Sequence, residues 1–198
     1  MTDPDWRLER WLAALLAAPG LTSIRNPTDA WRVHVEGGLV AAGEVARFPG
    51  TIVDVGSGGG SPGIPLAAAL PERDVVLLES SDRKCAFLER VARDFPNVSV
   101  IRGRAEEQPT DVYGVAVARA LAPPPTAIEW CLPLVVPGGG VVLYAGPSAD
   151  AAVVGRVAAK LGGAEPEQRG GLIIIRKIAP TPPGFPRRPG TARKRPLA

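Results

Sequence analysis

The stretch DVGSGGGSPGIPLA, residues 54–67, places an acid just before a run of Gly, Ser and Pro. The β-branched run TIVDVG ends at Gly56, and GIPLAAAL predicts a helix directly after the Gly-rich loop. Glycines let the backbone approach a ligand closely, and a helix N-terminus attracts an anionic group. The pattern therefore predicts a ligand-binding loop at the C-terminal end of a strand.

The register of the loop separates two ligand classes, dinucleotides and S-adenosylmethionine. Counted from Gly56, the dinucleotide pattern G-x-G-x-x-G puts Ser61 where its third Gly would stand, and the match from Gly58 begins two residues late. An acid just before the loop, here Asp54, is common in methyltransferases. We expect it to order the loop and to face the cationic amino group of the ligand. The loop favours S-adenosylmethionine, with a nicotinamide oxidoreductase as an alternative.

Two further strand ends carry residues suited to an adenosine group. Glu79 ends the strand RDVVLLE, 23 residues after Gly56, where a carboxylate is able to accept both ribose hydroxyls. GRAEE ends the next strand and places Ala105 and Glu106 at the height of an adenine ring. The sequence PGGG, residues 137–140, predicts a tight turn before the strand VVLYAG.

Strands and helices alternate along the chain and must position these residues. This alternation predicts an α/β fold with a mostly parallel seven-stranded sheet, helices on both faces and an antiparallel last strand. Trp6, Leu8, Trp11, Leu12, Leu15 and Leu16 form one stripe of a predicted N-terminal packing helix. We expect one domain over residues 1–179, with a helical cap over 1–47 and a cofactor-binding core over 48–179, followed by a basic Pro-rich tail over 180–198.

The charge is unevenly distributed. The first 175 residues carry 16 basic and 20 acidic groups, whereas the rest carries seven basic groups and no acids. The tail TPPGFPRRPGTARKRPLA has five prolines, so we expect it to be extended, and its charge indicates a polyanionic partner or a solvated end.

Other residues exclude several classes of protein. Cys85 and Cys131 stand without ligand spacing, which predicts neither a disulfide framework nor a metal site and favours a reducing cytoplasm. No apolar run approaches the roughly 18 residues of a membrane span. The only histidine, His34, lacks companions for nucleophilic work, so we interpret it as a packing or substrate-lining residue.

The chain resembles the RsmG family, the small-subunit ribosomal RNA methyltransferases that act on guanine N7. The resemblance covers nearly the whole chain, in LTSIRNP (21–27), the Gly-rich loop, LLESSDRKCAFLERV, GRAEE, AVARALAP and the basic Pro-rich tail. The chain departs from the family pattern at Gly37 and Gly38, where members have Asp-Ser after the matching His, and at Ala145, where they have Lys.

The resemblance implies a class I methyltransferase that methylates 16S ribosomal RNA, free or in a small-subunit particle, in the cytoplasm and as a monomer. It places Arg119 near the transferable methyl group as the catalytic residue. The cofactor contacts expected from the loop, the strand ends and the resemblance are Gly56, Gly58, Ser61, Glu79, Ala105, Glu106 and Arg119. The alternatives are a paralogue acting on another RNA or a small molecule, a cofactor-binding RNA-associated protein with little turnover, and for Arg119 a buried ion pair.

Overall fold

A seven-stranded sheet lies at the centre of the computed structural model, which describes residues 5–146 and 149–197. Its strands are Ile52–Val55 (β1), Val75–Glu79 (β2), Val98–Arg102 (β3), Tyr113–Arg119 (β4), Val135–Tyr144 (β5), Glu167–Arg169 (β6) and Leu172–Arg176 (β7). Their order is β3-β2-β1-β4-β5-β7-β6; β1 to β5 are parallel, and β7 runs antiparallel to β5 and β6. The predicted mostly parallel seven-stranded sheet is confirmed.

Helices connect the strands. The α-helices are Trp6–Ala17 (α1), Pro27–Ala30 (α2), Gly37–Leu39 (α3), Ala42–Ala46 (α4), Gly63–Ala69 (α5), Asp82–Ala92 (α6), Pro124–Cys131 (α7), Ala151–Lys160 (α8) and Thr191–Lys194 (α9). A π-helix spans Trp31–Glu36, and 3₁₀ turns span Ala105–Glu107 and Leu132–Leu134. None of the helices in the described part of the chain has the length and apolar character that a bilayer crossing requires.

The sheet is buried on both faces, since every residue of β1 and β2 is buried and all of them except Asp54 and Glu79 are apolar. One face packs against α1, the π-helix, α4, α5 and α6, and the other packs against α7, α8 and α9. The predicted N-terminal packing helix is confirmed, since Leu8, Trp11, Leu12 and Leu15 of α1 are buried. Trp6 was expected in the same stripe but is 58% exposed.

Two features near β5 differ from the predictions. The PGGG segment lies inside β5 at an irregularity of its pairing with β4, so the predicted turn before the strand is wrong. A Cβ atom at Gly140 would lie 2.4 Å from the Phe48 ring, so this glycine is needed for close packing rather than for a turn. The short strand β6 is not recognisable from the sequence, because its three residues are polar and exposed.

The C-terminal tail is packed against the domain, so the prediction of an extended tail is wrong. The Arg187 guanidinium forms an ion pair with Glu129 of α7, whose side chain is 2% exposed. Ala192 of α9 is buried in the core, and the Lys160 ammonium of α8 donates to the Leu197 carbonyl. Residues 1–4 and Ala198, at the ends of the predicted cap and tail, lie outside the described residues.

Candidate active site

Two adjoining cavities open at the carboxyl ends of the parallel strands, where β1 separates β2 from β4. The loop cavity lies beside the Gly-rich loop, and its lining includes His34, Gly56, Gly58, Ser61, Lys84 and Arg119. The β3 cavity follows β3, and its lining includes Gly56, Arg104, Ala105, Glu106, Trp130 and Arg193. Four of the predicted contacts, Gly56, Gly58, Ser61 and Arg119, therefore line the loop cavity. Ala105 and Glu106 line the β3 cavity, and Gly56 lines this cavity as well.

Glu79, the remaining predicted contact, lies at the end of β2, and the residue is 5% exposed. Its Oε2 accepts the Gly58 N–H at 3.0 Å, and its Oε1 accepts the N–H groups of Ser80 and Ser81 at 2.9 Å each. The Lys84 ammonium lies 4.0 Å from Oε2. Because an ionised carboxylate offers about four acceptor positions, Oε2 retains capacity for a ligand hydroxyl. Glu79 thus connects the Gly-rich loop with the strand end.

Asp54 organises the loop from within the core. The residue is 1% exposed, and its Oδ2 accepts the N–H of Gly63 at 3.0 Å. A Cβ atom at Gly63 would lie 2.8 Å from this oxygen, so glycine permits the contact. Burial raises the pKa of Asp54 to about 7. The predicted role of Asp54 in ordering the loop is confirmed; its predicted contact with a ligand amino group does not follow from this geometry.

Arg119 projects from the end of β4 and contacts uncharged groups. Its Nη1 donates to the Val33 carbonyl at 2.8 Å and to Ser61 Oγ at 3.1 Å. The Tyr144 ring lies 6.0 Å from the guanidinium carbon. These partners, together with the partial exposure of the residue, argue against the alternative of a buried ion pair. The guanidinium charge is therefore available to the loop cavity.

The π-helix of the N-terminal cap supplies the main-chain acceptors at this position. The N–H of Gly37 donates to the Arg32 carbonyl, and π-helical turns occur frequently at functional sites. Within this segment the His34 carbonyl accepts from Ser61 Oγ at 2.8 Å. This arrangement was not predictable from local sequence patterns, because it depends on partners that lie far apart in the chain.

His34 itself lines the loop cavity, which agrees with the second of its two interpretations, a substrate-lining residue. Its Nε2 lies 3.0 Å from Thr22 Oγ1. Burial, and then the charge of Arg119, lower its pKa, so the neutral imidazole is favoured at neutral pH. His34 is therefore suited to lining the cavity without adding a second positive charge.

Gly38 allows the cap to approach the loop closely, whereas a Cβ atom at Gly37 would make only ordinary van der Waals contacts. A Cβ atom at Gly37 would lie 3.6 Å from Arg119 Nη1, and one at Gly38 would lie 3.2 Å from Ser61 Oγ. The Tyr144 hydroxyl donates to the Gly38 carbonyl, which ties the end of β5 to the cap. Tyr144 is a site residue that sequence reasoning missed.

The sheet order and the Gly-rich loop at its switch point define a class I methyltransferase fold. A Thermus thermophilus structure, described as a 16S rRNA N2 G1207 methyltransferase in complex with AdoMet and guanosine, shares this fold. It matches with a TM-score of 0.55 and 17% identity over 74% of this chain and 40% of that chain. Magnesium protoporphyrin IX methyltransferase from Synechocystis PCC 6803 matches with a TM-score of 0.59 and 14% identity over 88% and 97%.

Sequence comparison identifies the family. The family model described as rRNA small subunit methyltransferase G matches residues 7–161. Ribosomal RNA small subunit methyltransferase G of Synechococcus sp. (strain JA-2-3B'a(2-13)) is 35% identical over 89% of this chain and 78% of its own length. The Roseiflexus castenholzii protein of the same name is 37% identical over 89% and 83%. The chain belongs to the rRNA small subunit methyltransferase G family, as the resemblance predicted.

Proposed function

We propose that this protein transfers a methyl group from S-adenosylmethionine to N7 of a guanine in 16S ribosomal RNA. The observation that carries the proposal is the position of Arg119 beside the Gly-rich loop, held by two uncharged oxygens in a member of this family. The name of the family and the names of its members support the ribosomal RNA substrate.

The residues present fit the cofactor. S-adenosylmethionine has an adenosine half and a methionine half, and the two adjoining cavities offer a place for each. We assign the adenosine half to Ala105 and Glu106, the ribose to Glu79, and the methionine half to Gly58 and Ser61 beside Gly56. When bound, the cofactor supplies an electrophilic methyl group on a sulfonium.

The protein has little proton transfer to perform. Guanine N7 carries a free lone pair and loses no proton on methylation, so the reaction requires no general base. Catalysis then consists of orienting the base and excluding water. Arg119 presents a cation whose position is fixed by the Val33 carbonyl and Ser61 Oγ. In the proposal it positions the target base, and residues of the N-terminal cap that include His34 form a wall of the loop cavity.

The substrate is a polyanion, which fits the basic groups on the surface. Arg188, Lys194 and Arg195 are exposed although the tail is packed. Their charges remain available to RNA phosphates, in free ribosomal RNA or in a small-subunit particle. In this proposal the protein acts in the cytoplasm as a monomer.

The Arg119→Ala variant tests the proposal. We expect turnover on 16S ribosomal RNA to fall on the order of 10²-fold, as for loss of one positioned electrostatic donor, with an unchanged melting temperature. Arg156→Ala, which removes an exposed arginine of α8, is the matched control. The readout is mass spectrometry of ribosomal RNA from a deletion strain complemented with each variant.

Different results would contradict the catalytic residue, the substrate and the cofactor of the proposal. Loss of stability in Arg119→Ala with normal activity of the folded fraction would end the catalytic role of this residue. The proposed substrate would be overturned if the deletion strain complemented with the wild-type protein still lacked N7 methylation of its 16S ribosomal RNA. Methylation of a different RNA or of a small molecule would overturn it as well. Binding of NAD without binding of S-adenosylmethionine, measured by calorimetry, would overturn the cofactor.

A further inference from the structure

The C-terminal segment, residues 185–197, is fixed on the domain beside the β3 cavity. Arg187 Nη2 donates to Glu129 Oε2 at 2.6 Å and to the Arg195 carbonyl at 2.8 Å. The bond to Glu129 joins the segment to α7. The bond to the Arg195 carbonyl connects the residues that lie before and after α9. Ala192 is 2% exposed and packs into the core cluster that includes α7 and α8. The position of the segment is therefore set by buried contacts.

Two residues of the segment reach the part of the site assigned to adenosine. The Gly190 N–H donates to Glu106 Oε1 at 3.1 Å, so the segment is hydrogen-bonded to the 3₁₀ turn that lines the β3 cavity. The Arg193 guanidinium lies 5.4 Å from the centroid of the Trp130 ring. Both Arg193 and Trp130 line the cavity, with Arg104 and Ala105 from the strand end.

We propose that Arg193 forms the outer wall of the adenosine site and packs its guanidinium against the adenine ring. This inference rests on the proposed function, and it assigns to the tail a role in cofactor binding in addition to RNA binding. A guanidinium is planar and stacks on aromatic faces, with attraction between the cation and the π-system. The contact between Arg193 and Trp130 holds the guanidinium at the rim of the cavity.

The variant Arg193→Ala tests this inference in the full-length protein, with Arg193→Gln as a second variant. Calorimetry would measure the binding of S-adenosylmethionine and of S-adenosylhomocysteine. The affinity for each should fall by about three- to thirty-fold, the range of a cation–π contact. The two losses should be equal, because both ligands carry the same adenosine.

Lys194→Ala is the matched control, since it removes an exposed charge from the next position of α9. It should leave both affinities within about twofold of wild type. If the wild-type protein binds both ligands and both Arg193 variants bind them with unchanged affinity, this inference is overturned and the proposed function stands. A wild-type protein that binds neither ligand would overturn the proposed function and this inference together.

Discussion

Asp54 gives the Gly-rich loop a measurable pH dependence. The carboxyl group is buried, and burial raises its pKa from 3.8 to about 7, while the N–H of Gly63 opposes this shift. A folded-state pKa above the unfolded value means that the native protein binds a proton which the unfolded chain releases. The stabilisation is therefore complete below about pH 4 and is lost as the pH rises through about 7.

The size of this effect follows from the two pKa values. Between pH 5 and pH 8, the free energy of unfolding should decrease by about 2–3 kcal/mol through this group alone. The substitution Asp54→Asn removes the titration and keeps an oxygen that is able to accept the Gly63 N–H.

The assay is urea unfolding of wild type and Asp54→Asn at pH 5, 6, 7 and 8. Contributions from other titrating groups, His34 among them, cancel in the difference between the two proteins. The stability of wild type relative to the variant should fall by about 2–3 kcal/mol over this range, most of it below pH 7. Parallel pH profiles for the two proteins would refute the raised pKa and the reasoning from burial.

Two further predictions concern the cofactor site and the C-terminal segment. Glu79→Gln should weaken binding of S-adenosylhomocysteine by about 1.5–3 kcal/mol, the range for a hydrogen bond to a charged group; an unchanged dissociation constant in calorimetry would remove Glu79 from the site. Arg187→Ala should lower the free energy of unfolding by about 3–5 kcal/mol, because it leaves the buried Glu129 without its partner. Adding Glu129→Gln should restore part of that stability in chemical denaturation, and an unchanged stability of Arg187→Ala would contradict the packed tail.

The sheet and its ligand loop were predictable because their signals are local. A β-branched strand such as Ile52–Val55 is recognisable from its own residues, and Asp54 and Gly63 lie nine positions apart in one motif. The same holds for Glu79, which ends an apolar run. Parallel topology then brings the ends of β1, β2 and β4 together. The cluster of predicted residues follows from these local patterns and the topology.

The packed tail was not predictable from local composition. Prolines and basic residues without acids are typical of an extended segment, and the acids that hold this tail lie elsewhere in the chain. Glu129 precedes Arg187 by 58 positions, and Glu106 precedes Gly190 by 84. Glu129 lies within an otherwise apolar part of α7 and is buried there. Because a buried carboxylate requires a partner, this residue was the one indication in the sequence of an ion pair with a distant cation.

The π-helix and the C-terminal segment contact different parts of the candidate site. The π-helix over Trp31–Glu36 fixes Arg119 and Ser61 at the loop cavity, whereas the C-terminal segment reaches the β3 cavity through Gly190 and Arg193. Gly56, at the end of the central strand β1, lines both cavities. The sheet and its loops therefore form the floor of the site, while segments remote in sequence form its walls. Substitution of a wall residue that lines a cavity, such as Arg193, should change ligand binding even when the Gly-rich loop is intact.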